Sequence, residues 1–125
     1  MSVEPRRATV LVVDDEVRIL SAVQRSLRRE GYEILIAETP AEALGILAER
    51  EVDLIVSDQK MPGMSGLEFL ARAIRMRPQA ARLLITGWTE EVPREEMEAL
   101  GIRTLLPKPW DDGALKQAVR EALGR

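Results

Sequence analysis

Five times in succession, a short apolar run rich in β-branched residues gives way to a longer stretch with helical spacing. This alternation constrains the fold more than any other feature of the chain. The first run is Thr9 to Val13, followed by Leu20, Val23 and Leu27 at intervals of three and four, with Gly31 as the stop. Tyr32 to Ala37 reads as a second strand. Thr39 and Pro40 read as N-cap and first helical residue, and Glu42 completes a capping box. That helix carries Ala43, Leu44 and Leu47 and runs to about Arg50. Val52 to Ser57 is a third strand with Asp58 at its end, followed by a loop over residues 59–65 that holds Pro62 and Gly63. Gly66 to Arg75 is helical, with Leu67, Leu70 and Ile74 on one face. Arg82 to Ile85 is a fourth strand ending at Thr86 and Gly87, and Glu90 to Leu100 an acidic helix with Pro93 near its start. Arg103 to Leu106 is a fifth strand, and Asp111 caps a last helix bearing Leu115, Val119 and Leu123.

Five βα units in sequence predict an α/β fold, a parallel sheet with helices on both faces. Strands buried on both sides should be continuously apolar, as the first, third and fourth are. With five strands the common doubly wound, flavodoxin-like order is 2-1-3-4-5. Pro107 supports it, because a proline in the fifth strand is tolerated only on a sheet edge. The 125 residues suffice for one such domain. The expected division is a loose tail over residues 1–7 and a single domain over 8–125.

The chain has no histidine and no cysteine. A Ser-His-Asp triad, an imidazole base, a thiolate nucleophile and a zinc or iron–sulfur site of the usual ligands are therefore excluded. Carboxylates, hydroxyls, lysine and backbone remain, and oxygen ligands favour a hard cation such as Mg2+. The net charge of −3 argues against direct nucleic-acid binding. The polar N-terminus lacks the apolar core of a signal peptide, and no apolar run approaches a membrane span, so a cytoplasmic location is expected.

The polar residues fall at strand ends. Asp14 and Asp15 close the first strand, Asp58 the third and Thr86 the fourth, and Lys108 follows the fifth. In open α/β sheets the carboxyl edge is where ligands bind, at the switch point between adjacent strands one and three. There Asp14, Asp15 and Asp58 would meet. Two like charges ~4 Å apart at an effective dielectric of ~20 repel by about 4 kcal/mol, so the cluster needs a cation. With Lys108 and Thr86 it makes a site for a tetrahedral dianion beside a metal, with a carboxylate available as nucleophile. Singly, each signal has a plainer reading. An Asp-Asp pair can be a helix N-cap, Thr-Gly a turn, and a lysine between prolines a solvated loop residue. Their joint placement at successive strand ends favours the site.

The segments 12–16 (Val-Val-Asp-Asp-Glu), 57–66 (Ser-Asp-Gln-Lys-Met-Pro-Gly-Met-Ser-Gly), 85–87 (Ile-Thr-Gly) and 108–110 (Lys-Pro-Trp) resemble the motifs of bacterial response-regulator receiver domains. The resemblance spans about residues 8 to 123. It implies that Asp58 accepts a phosphoryl group from a histidine of a sensor kinase or phosphotransfer protein. It also implies that Asp15, Asp58 and the Lys60 carbonyl coordinate Mg2+, with Asp14 acting through metal-bound water. Lys108 and Thr86, with Gly87, would bind the phosphoryl oxygens, Thr86 would move as the switch, and the bond before Pro109 would be cis. Such a domain catalyses only its own phosphorylation and dephosphorylation and is otherwise no enzyme. The face made by its fourth helix, fifth strand and fifth helix would serve output or homodimerisation. The basic strip Arg18, Arg25, Arg28 and Arg29 reads first as a solvated face, and the resemblance adds kinase docking.

Three positions depart from the family pattern or tune it. Leu105 stands where a tyrosine or phenylalanine usually couples to the threonine, so switching here is expected to rest on Thr86 and the following loop or to be blunted; the plainer reading of Leu105 is a core or edge packing residue. Lys60 and Trp88 flank the site and are expected to slow hydrolysis of the phosphoryl group, with surface exposure for partner binding as the equal alternative for Trp88. Two rival readings stand beside the switch. One is a Mg2+-dependent phosphatase with an Asp nucleophile, disfavoured because Lys60 occupies the place of its acid–base Asp. The other is a phosphorylation-independent interaction module. Five βα units consume the length, so the output is expected to lie in a partner or in a longer chain from which this domain comes.

Overall fold

The computed structural model describes residues 7–87, 92–102 and 104–124. Its elements run β1 (Thr9–Val13), α1 (Val17–Arg28), β2 (Glu33–Ala37), α2 (Pro40–Glu49), β3 (Leu54–Asp58), α3 (Gly66–Met76), β4 (Ala81–Gly87), α4 (Arg94–Ala99), β5 (Thr104–Lys108) and α5 (Asp112–Ala122). All strand pairs are parallel and the order is β2-β1-β3-β4-β5. The expected order is therefore the observed one, and Pro107 sits exposed on the edge strand.

The pleat of β1 shows why the sheet needs two layers of helices. Val10 and Val12 point into a core with Leu20, Val23 and Leu27 of α1 and Leu115 and Val119 of α5. Leu11 and Val13 point the other way, against Ala43 and Leu47 of α2 and Phe69 and Leu70 of α3. Every residue of β1 and β3 is buried, so neither could serve a sheet with one wet face.

The predicted caps are present. Thr39 accepts from the Glu42 N–H at 3.0 Å, and Asp111 accepts from the Ala114 N–H at 2.7 Å. Gly31 takes φ +88°, a left-handed conformation that only glycine adopts cheaply.

Several boundaries differ from expectation; among them, β4 runs from Ala81 to Gly87 and β5 runs on to Lys108. β3 begins at Leu54 rather than Val52, although Asp53 just before it still donates its N–H to the Thr9 carbonyl at 2.8 Å and accepts from the Thr9 N–H through its side chain at 2.7 Å. It also includes Asp58. The acidic helix α4 spans only Arg94–Ala99. Pro93 is its N-cap with an extended ψ of 123°, and a proline also biases the residue before it away from the helical region. Glu90, Glu91 and Arg103, expected within elements, lie outside the described residues, as do residues 1–6 of the expected tail.

Candidate functional site

The register aligns the strand ends. Val13 pairs with Ser57, Asp58 with Ile85, and Gly87 with Lys108. The residues just past β1 and at the ends of β3 and β5 therefore meet at one edge, although more than forty residues separate Asp15 from Asp58.

Asp14, Asp15 and Asp58 each offer a carboxylate oxygen, all within 4.8 Å of one another. Asp14 and Asp58 are 1% and 2% exposed, whereas Asp15 is open to solvent. Lys108 reaches across from β5. Its Nζ lies 3.0 Å from Asp58 Oδ1, 3.5 Å from Asp14 Oδ2 and 3.9 Å from Glu16 Oε1. One ammonium thus faces three carboxylates, with a fourth, Asp15, in the cluster.

The charge imbalance appears in the acidities. Burial above all pushes the Asp14 carboxyl up to about 6. The negative charges of Asp58 and Glu16 add to this, while the Glu16 N–H and Lys108 oppose it. Partial burial pulls the Lys108 ammonium down, but its bond to Asp58 and the charges of Asp14, Asp58 and Glu16 outweigh that and hold it above the ordinary lysine value.

Asp14 is not a helix cap. The N-cap of α1 is Glu16, which makes no side-chain cap bond. Asp14 Oδ1 instead accepts from the Glu16 N–H at 2.9 Å. That bond holds the carboxylate in place and leaves Oδ2 buried without a hydrogen-bond partner among the described residues. A buried carboxylate oxygen of this kind, beside an exposed and a buried aspartate, fits a hard cation with oxygen ligands. The cluster could hold a metal.

Above it lies a cavity of about 430 Å³ lined by Asp15, Glu16, Asp58, Lys60, Met61, Pro62 and Lys108. Thr86 is buried one residue beyond Ile85, the partner of Asp58. Gly87 is half-buried, and the Lys108–Pro109 bond is cis. Lys60 is exposed at the rim. Leu105 lies apart from the site, 40% exposed on β5, and Trp88 lies outside the described residues.

Two residues matter more here than their sequence suggests. Glu16 joins the carboxylates around Lys108; its place beside Asp15 was the available signal. Gln59 gives no such signal, because its partner, the Leu67 N–H, lies eight residues away.

A model of the response regulator receiver domain family matches residues 10–120. The hydrogenase transcriptional regulatory protein HoxA of Cupriavidus necator is 38% identical over 120 residues, 94% of this chain but 24% of HoxA. The chain thus spans about a quarter of that relative. Sporulation initiation phosphotransferase F of Bacillus subtilis is 31% identical, with 91% of this chain and 92% of that protein covered. A CheY-like response regulator receiver domain protein from Methanospirillum hungatei superposes with a TM-score of 0.88 at 29% identity, covering 95% of each chain.

Proposed function

This chain belongs to the response regulator receiver domain family, and on that footing we propose how it works as a phosphorylation-dependent signalling switch. The receiver is the unit over residues 8–125. A partner histidine kinase or phosphotransfer protein brings a phosphohistidine to the carboxyl edge. A carboxylate oxygen of Asp58 attacks the phosphorus, the P–O bond forms, the P–N bond breaks, and the imidazole leaves with its electron pair. The 125 residues hold no histidine, so the donor lies outside them.

The observation that carries the reading is Asp58, buried, with Lys108 Nζ at 3.0 Å inside the acidic cluster. Phosphoryl transfer needs alignment and charge neutralisation more than covalent help. Lys108 provides a fixed cation for a phosphoryl oxygen. Asp15, Asp58 and the Lys60 carbonyl, with Asp14 through water, are the groups proposed to hold Mg2+, which when bound neutralises charge on the phosphoryl oxygens. Thr86, with Gly87, would bind another phosphoryl oxygen once the adduct forms.

The adduct adds about one unit of negative charge. Thr86 and the segment after β4 carry the response, because Leu105 has no ring or hydroxyl to couple with. Structures with and without a phosphoryl mimic test this; an inward rotamer change at Leu105 counts against it. The α4-β5-α5 face is proposed as the output or homodimer surface. Apart from its own loading and unloading the chain is no enzyme, and it acts in the cytoplasm.

Incubation with Mg2+ and acetyl phosphate, read by intact mass, tests the whole reading. One phosphoryl adduct, lost in Asp58→Asn, is expected. No adduct on the native chain would favour an interaction module, and turnover of unrelated phosphate esters a phosphatase.

A further inference from the structure

The first four N–H groups of a helix have no partner within it. In α3 the Glu68 N–H donates to Ser65 Oγ at 3.1 Å, and the Phe69 N–H makes the first ordinary helical bond, to the Ser65 carbonyl at 2.9 Å. The N–H groups of Gly66 and Leu67 go elsewhere. The Gly66 N–H donates to the Gln59 carbonyl at 2.8 Å, and the Leu67 N–H donates to Gln59 Oε1 at 3.0 Å. One residue at the far end of the loop therefore takes both.

These two bonds close residues 59–67 into a ring. Its neck is tight. A Cβ on Gly66 would stand 2.3 Å from the Asp58 carbonyl oxygen and 3.0 Å from Gln59 Cα, so only glycine fits there. The neck is also anchored to the sheet, because the Gln59 N–H donates to the Ile85 carbonyl at 2.9 Å. Ser57 Oγ donates to the Asp58 carbonyl, also at 2.9 Å. Asp58 lies immediately before the neck, and Lys60 and Met61, the first residues of the ring beyond Gln59, line the site with it.

We propose that Gln59 is a positioning residue for cation binding: its side chain staples the loop to α3 and so fixes the Lys60 carbonyl beside Asp58. The inference rests on the proposed reading, in which that carbonyl is a ligand. Without the staple, the loop is held to α3 at the neck by the backbone bond alone, and binding must order what the native chain holds ready. Gln59 touches neither the phosphoryl group nor the metal.

Three variants separate positioning from stability. Gln59→Met keeps length and loses the acceptor. Gln59→Glu keeps an acceptor oxygen. Ser65→Ala removes the other side-chain cap of α3. Mg2+ is titrated calorimetrically into each, and hydrogen exchange is followed at the Leu67 amide. Gln59→Met should weaken Mg2+ binding roughly fivefold, the scale of one lost hydrogen bond, and speed exchange at Leu67. Gln59→Glu should retain native affinity or exceed it. Ser65→Ala should lower Tm as much as Gln59→Met yet leave Mg2+ binding unchanged. Native affinity in Gln59→Met overturns the inference, as does equal loss in Ser65→Ala, which would make helix stability the cause. If the native chain binds no Mg2+ and takes no phosphoryl group, the underlying reading fails and this inference with it. If it does both while Gln59→Met matches it, this inference alone fails.

Discussion

The two edges of the sheet carry the same kinds of residue and treat them in opposite ways. At the amino edge the Arg50 guanidinium lies 2.8 Å from Glu33, which also accepts from the Thr9 hydroxyl at 3.0 Å. Arg77 Nε donates to the Leu47 and Arg50 carbonyls at the end of α2, and its guanidinium lies 3.9 Å from Glu51. The bond to Arg50, then that to Thr9, holds the Glu33 carboxyl below its ordinary value. At the carboxyl edge one ammonium faces three carboxylates, and Asp14 is pushed up to about 6. Satisfied charge supports the fold at the first edge. At the second edge the carboxylates crowd around one ammonium, and Asp14, Asp15 and Asp58 could hold a metal.

The sharpest way to break this contrast is to remove the acceptor itself. Asp58→Asn should abolish phosphoryl incorporation from acetyl phosphate, read by intact mass, while Arg50→Ala leaves it at the native level.

A large effect of opposite sign is expected at Asp14. With its carboxyl raised from 3.8 to about 6 in the folded chain, folding binds a proton between those values. Stability of the metal-free protein should therefore fall as pH rises through that window, and the cost should persist above it. Asp14→Asn should abolish the fall and stabilise the metal-free protein at pH 7 by about 1–3 kcal/mol, while weakening Mg2+ binding. Thermal melts across pH, with chelator and with Mg2+, would show this; a less stable Asp14→Asn protein under chelator would contradict the picture of a strained edge.

A smaller effect concerns the exposed rim. Lys60→Ala should hydrolyse its phosphoryl group faster than the native protein, by a small factor, in a single-turnover decay of the adduct. An unchanged rate would remove Lys60 from any role in covering the site.

The smallest effect belongs to the amino edge. Because Glu33 is held low, its contribution is present above its ordinary value of 4.5 and lost as pH falls through the folded value. Arg50→Ala should shrink that acid-side loss, shift Tm no more than a typical surface substitution, and leave Mg2+ affinity unchanged. A change in Mg2+ affinity would show the edges to be coupled.

Much of this was legible in the chain because it was local or periodic. The five βα units, the caps at Thr39 and Asp111 and the stop at Gly31 follow from spacing and side-chain chemistry within a few residues. The strand order followed from unit count, with Pro107 as support. The site residues at strand ends could be named because a parallel sheet puts like ends on one edge. The start of α4 was misjudged because helical composition continues through Pro93, whose backbone restriction decides the boundary. The two-residue difference at the start of β3 is the ordinary latitude of an element boundary, since Asp53 still makes backbone bonds to Thr9 and Ala81 in the neighbouring strands.

The sequence by itself therefore determined the fold class, the edge and the candidate groups on it, since periodicity and the absence of histidine and cysteine are properties of the linear chain. Only the tertiary structure decided how charge is shared there. That Lys108 serves Asp58, Asp14 and Glu16 together depends on which strands lie side by side and on which oxygens are buried. So does the reach of Gln59 across its loop to Leu67. These are contacts between residues far apart in sequence, at separations where pattern and propensity carry no information and register and burial set the energies.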